Sequence, residues 1–139
     1  MIEVDDLFNL FSPEDNNYSN TYVDFTTQPV YKLGMYRKLI LNHINFKKKV
    51  IYFFKKSNAE LSLEEMAEAG EFVAYNRAWH YIKDITLEDD DHIEAIVTHS
   101  NKALETAFEL GIKFFQKTEE YEKCAHLLKL LKKSQEFSN

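Results

Sequence analysis

The chain has 139 residues, 45% hydrophobic and 29% charged. These are the proportions of one globular domain with room for a core, not of a disordered or membrane-spanning chain. Three glycines and two prolines are too few for the turns of a β-sandwich or for glycine loops that cradle phosphates, so long helices are expected. The net charge of −6 is uneven: residues 1–24 hold six acids and no base, 25–59 eight bases and no acid, and 60–139 seventeen acids and nine bases.

One cysteine, Cys124, leaves no partner for an intramolecular disulfide and no thiolate cluster for zinc within one chain. The acidic start Met1-Ile2-Glu3-Val4-Asp5-Asp6 is unlike a signal or transit peptide, and no apolar run approaches the roughly 18 residues of a spanning helix. A reducing, cytoplasmic setting without membrane attachment is the expectation.

In chain order, residues 1–30 read as an extended arm. It holds the polar stretch Ser12–Asn20 and both prolines, Pro13 and Pro29, which are read as interruptions of helix. Near its start the arm carries a short acidic-aromatic motif, Val4 to Phe11. Residues 31–139 read as the bundle domain.

Its first helix is expected to begin near Leu33 to Met35. Met35, Leu39 and His43 form one row, with Tyr36, Ile40 and Ile44 beside it. The pattern continues through Phe46, Val50, Phe53 and Phe54, with a break at Asn45 as an alternative.

Ser62-Leu63-Glu64-Glu65 is a capping box, with Ser62 at the N-cap and Glu65 three residues on. The helix it opens turns Met66, Ala69, Val73, His80 and Tyr81 inward and ends near Asp84. Thr86, followed by Glu88 to Asp91, repeats a hydroxyl cap with acids in the first turn. A third helix of about thirty residues follows, with Ile93, Ile96, Val97, Ser100, Leu104, Ala107, Phe108, Gly111, Phe114 and Phe115 at roughly heptad spacing. Gly111 is read as the small residue at a helix crossing. Thr118 restarts a fourth helix whose face is Tyr121, Cys124, Leu127, Leu128 and Leu131, ending at Lys132-Lys133. The predicted fold is therefore all-α, a single-domain bundle of about four helices with an extended N-terminal arm.

Catalytic, metal and cofactor residues are expected to be absent. Of the histidines, His92 and His99 lie two turns apart near Glu88 and Asp91, but acids that cap a helix dipole explain this cluster more simply than a metal does. Gly34, Gly70 and Gly111 lie in no nucleophile or phosphate-binding motif. Arg77 and His80 beside Trp79 form the best polar cluster. A salt-linked arginine and a half-buried histidine account for it. Cys124, on an apolar helix face, reads as core.

Two contact surfaces remain. Leu7, Phe8, Leu10 and Phe11 are of the type that docks in a groove on a protein partner, or else pack on the chain's own bundle. Arg37, Lys38, Lys47, Lys48, Lys49, Lys55 and Lys56, interleaved with aromatics, would suit phosphate contacts with base stacking. Against that stand the overall acidity, the excess of lysine over arginine, and aromatics at core spacing. A basic face that neutralises the chain's own acidic helices is the competing reading. The sequence thus predicts a non-enzymatic binding or regulatory protein with a protein partner favoured, and a nucleic-acid-binding accessory role as the alternative.

Overall fold

A computed structural model of the chain describes residues 24–57 and 63–137, the side chains of 54–57, 63 and 64 excepted. A 3-10 turn, Phe25–Thr27, leads into α1 (Pro29–Ser57), then α2 (Leu63–Ile82), α3 (Asp90–Thr98), α4 (Lys102–Lys117) and α5 (Tyr121–Phe137). No strand occurs among the described residues, so the fold is all-α. The arm motif Leu7, Phe8, Leu10 and Phe11 and the expected cap Ser62 lie outside the described residues.

α1 begins earlier than its apolar pattern indicates. Asp24 caps the 3-10 turn, its carboxylate accepting from the Thr26 amide at 3.0 Å and the Thr26 hydroxyl at 2.6 Å. Pro29 then takes the first helical position, where its missing N–H costs nothing and its fixed φ suits the helix. Pro29 is a helix starter here, not an interruption. No break occurs at Asn45, and α1 is continuous for 29 residues.

α1 and α2 form an antiparallel hairpin. As positions ascend α1 their partners descend α2: Lys32 pairs with Asp84, Tyr31 packs on Tyr81, His43 on Tyr75, and Lys47 pairs with Glu71. α4 and α5 form a second antiparallel hairpin, and α3 packs on α1 and α5. The core between them holds Leu33, Tyr36 and Ile40 of α1, Tyr75, Ala78 and Ile82 of α2, Leu104, Phe108, Phe114 and Phe115 of α4, and Leu127, Leu130 and Leu131 of α5.

α2 is rotated from the expected phase. Met66, Val73 and Phe72 are 49%, 54% and 61% exposed, His80 faces solvent, and Tyr75, Ala78 and Ile82 are buried instead. Apolar side chains surround this helix, so periodicity alone does not select its inner face. Packing does: the Tyr75 ring stacks on Phe114 with centroids 4.5 Å apart and planes 6° apart, and Ala78 leaves room beside it.

The expected third helix is two helices, parted at His99–Asn101. Asn101 is extended (φ −157°, ψ 175°), and its side-chain oxygen accepts from the Leu104 amide at 2.8 Å, which caps α4. Asp89, not Thr86, caps α3 by accepting from the Asp91 amide at 2.9 Å, whereas the Thr86 hydroxyl closes a local turn with the Glu88 amide. α5 continues beyond Lys133 to Phe137, and its inner face is Leu127, Leu130, Leu131 and Ser134, with Tyr121 and Leu128 outside.

Three helices meet at Gly111. The fully buried Tyr36 hydroxyl donates to the Ala107 carbonyl at 2.7 Å, and burial raises its pKa far above the usual phenol range. A Cβ on Gly111 would collide with Tyr36 Oη and come within 2.9 Å of Leu127 Cδ1. Glycine is required here by close approach.

Candidate functional site

The hairpin is divided into two halves by what covers it. Among the described side chains, none of α1 beyond His43 and none of α2 before Tyr75 is buried. The near half forms the core; the outer half is held mainly by α1 and α2 packing on each other. Where the halves meet, Glu71 accepts ion pairs from Lys47 of α1 and Lys117 of α4.

Apolar surface accumulates on that outer half. A groove of about 520 Å³ runs between the helices, lined by Leu39, His43, Phe46, Gly70, Val73 and Arg77 among others. A small adjoining cavity lies beside Val50, Ile51 and Met66. Phe46, at 61% exposure, was expected in the core with Val50 and Phe53. The structure instead leaves Phe46 and Phe53 at the surface, because they point about 100° or more away from the centre of the buried row Leu33, Tyr36, Ile40 and His43.

His43 closes the floor of the groove. Its ring packs edge-on against Tyr75, and its buried Nε2 has no hydrogen-bond partner among the described residues. Burial lowers its pKa, Lys47 lowers it further, and Glu71 partly opposes the shift. The imidazole is therefore held neutral. On the other side of the same helix pair, burial and Glu71 push the Tyr75 hydroxyl up to about 12.

The basic block is split by the fold. Lys32 and Lys47 face the chain's own acids, Asp84 and Glu71. Arg37, Lys38, Lys48 and Lys49 lie within about 120° of one another around α1, away from the buried row Leu33, Tyr36, Ile40 and His43. No salt bridge among the described residues involves any of these four. Among the described residues, ion pairs with the chain's own acids involve Lys32 and Lys47 of the block and none of the stripe. Lys55 and Lys56 fall on α1, but their side chains are not among those described.

The polar clusters disperse. Arg77 borders the groove, Trp79 packs against Phe115 and His126, and His80 stacks edge-on with Tyr81, so the three do not converge. His92 accepts from the Thr86 amide through Nδ1 at 3.0 Å, which leaves the proton of a neutral ring on Nε2, 3.6 Å from Asp89. That arrangement pins the start of α3. His92 and His99 both border an open cleft with Asp89, Asp91 and Glu94, yet no group of three or more His, Cys, Asp or Glu is placed to hold a metal among the described residues. Cys124 packs against the core, its thiol near the Ile112 carbonyl, and burial raises its pKa.

The groove is the surface that reading the sequence missed. Its signal was an excess: α2 carries more apolar positions than one face can bury. No described helix is long and apolar enough to cross a membrane. Compared with known proteins, the chain matches no family model, no curated protein and no solved structure.

Proposed function

We propose that this is a non-enzymatic binding or regulatory protein that takes an apolar segment of a protein partner into the groove between α1 and α2. One observation carries the reading: Phe46 and Val73, both more than half exposed, border the groove, and Met66, 49% exposed, borders a small adjoining cavity that shares His43, Phe46 and Gly70 with it. Contiguous apolar surface of this kind is characteristic of interaction sites, and a two-helix groove suits an amphipathic helix docked through spaced anchors. Arg77 and Asn42 at its edge supply the polar rim that sets register. Leu7, Phe8, Leu10 and Phe11 serve in this reading as a second contact to the partner.

The test uses the full chain. Partners are captured by cross-linking in the native cell, purified, and titrated with the parent and with a Phe46→Ser, Val73→Glu variant whose helicity is checked by circular dichroism. Both positions are exposed, so folding is retained. Loss of one to two anchors at about 2 kcal/mol each predicts at least a thirtyfold weaker Kd. Capture of no protein, or a folded variant that binds its partners as tightly as the parent, refutes the proposal. A parent that sediments as a dimer and a variant that sediments as a monomer would assign the groove to a second copy instead.

A further inference from the structure

The stripe on α1 has a different chemistry from the groove and faces a different direction. Arg37 and Lys38 are followed by Lys48 and Lys49 about 17 Å further along the helix axis. Backbone positions 55 and 56 lie five turns after 37 and 38, at about 3.6 residues per turn, and so repeat their phase. Between the two described pairs the same side presents the exposed Asn45. α1 contains no acidic residue at all.

From this we propose that the outer side of α1 is a binding site for the phosphate backbone of double-stranded nucleic acid. Two observations support the proposal. Among the described residues, none of the four cations is ion-paired with a carboxylate, unlike Lys32 and Lys47. They are displayed by one continuous helix and so form a straight, rigid row, which matches a duplex better than a flexible strand. Phe46 lies on the groove side, whereas the exposed Tyr52 follows Lys48 by about one helical turn and shares the phase of the row, so the preference for a duplex rests on the straightness of the row.

The net charge of −6 does not oppose this. Free charges are screened over about 8 Å at physiological ionic strength, and packed helices are separated by 8–10 Å. The acids of α3, such as Asp90, Asp91 and Glu94, thus have little effect at the outer edge of α1. Their effect is on affinity at low salt, where screening is weak. Lysine in excess over arginine, with no built pocket for a base edge, points to backbone contact without sequence discrimination.

The experiment is fluorescence anisotropy of the full chain with a labelled mixed-sequence DNA duplex, across a salt series. Four neutralised phosphates predict a log–log slope of about −3.6, and six about −5.4. Lys48→Gln with Lys49→Gln, on the exposed side of a helix, keeps the fold and should flatten the slope by about 2. Lys129→Gln with Lys132→Gln on α5 should leave it unchanged. A parent that fails to bind duplex at low salt overturns the proposal, and so does a slope indifferent to the Lys48 and Lys49 changes. Preference for a single strand over the duplex refutes the rigid-row argument. Binding to polyglutamate but not to duplex would reassign the stripe to an acidic polypeptide. None of these outcomes depends on the groove, so the two surfaces can fail separately.

Discussion

Gly111→Ala probes the point where three helices meet. In an open helix the change would stabilise by about 1 kcal/mol through propensity. Here the new Cβ meets Tyr36 Oη and Leu127 Cδ1. Relief requires Tyr36 to give up its hydrogen bond to Ala107, which loses about 1 kcal/mol and leaves a buried hydroxyl unpaired at about 1–3 kcal/mol. Shifting Leu127, a flexible end, adds about 1 kcal/mol. The expected net cost is about 2–4 kcal/mol, measured from urea midpoints with unchanged m-values. The chemistry can be separated by a cycle. Tyr36→Phe alone should cost about 1 kcal/mol, but it removes the atom that blocks the alanine, whose Cβ then faces Cζ at 3.5 Å. The double variant should therefore be more stable than Gly111→Ala alone, with a coupling energy above 1 kcal/mol. If the two changes add to within about 0.5 kcal/mol, or if Gly111→Ala matches the parent, the close-approach argument is wrong.

Two further outcomes follow from local geometry. His43 has a folded pKa below its unfolded value of about 6.5, so the unfolded chain binds more protons between the two values. His43 therefore imposes no protonation penalty on folding well above about pH 6.5 and a growing one as the pH falls through that value towards the folded pKa. His43→Leu should remove this component of the acid sensitivity and, by removing the unpaired Nε2, stabilise by about 1 kcal/mol at pH 7; identical pH–stability curves for parent and variant would show that the site is not desolvated. Asn101→Ala should cost about 1 kcal/mol through loss of the cap on α4, and an unchanged thermal midpoint would show that the side-chain bond to Leu104 contributes nothing.

The parts of the fold legible in the sequence were those where one physical rule acts alone. Scarce glycine and proline indicated helices, and of the two expected rows on α1, Met35, Leu39, His43 and Tyr36, Ile40, Ile44, the structure buries Tyr36, Ile40 and His43 and leaves Met35, Leu39 and Ile44 half-buried. The α4 pattern from Leu104 to Phe115 was read in the right phase. Legibility was lost where two rules compete. Asn101 interrupts a run whose apolar spacing continues across the break, so periodicity concealed the cap. Pro29 can end one segment or begin another, and only the Asp24 turn before it decides. α2 is apolar all round, so its rotation is set by Tyr75 on Phe114, a contact between residues 39 positions apart that no local pattern encodes.

The same competition explains why the contact surfaces were harder to see than the core. A phenylalanine at helical spacing, such as Phe46, is indistinguishable from core until the length of the neighbouring helices is known. α1 spans 29 residues, whereas α4 and α5 have 16 and 17. At about 1.5 Å per residue, α1 outruns either by roughly 18 Å or more. That mismatch leaves the outer half of the helix pair without a buried side chain among those described. Phe46 and Val73 border a groove that no described side chain of α4 or α5 lines, and full burial would stabilise by about 1.5–3 kcal/mol for each such side chain. The uncovered hairpin forgoes that stability, and stability forgone at exposed apolar side chains is the physical reason for proposing a contact surface there.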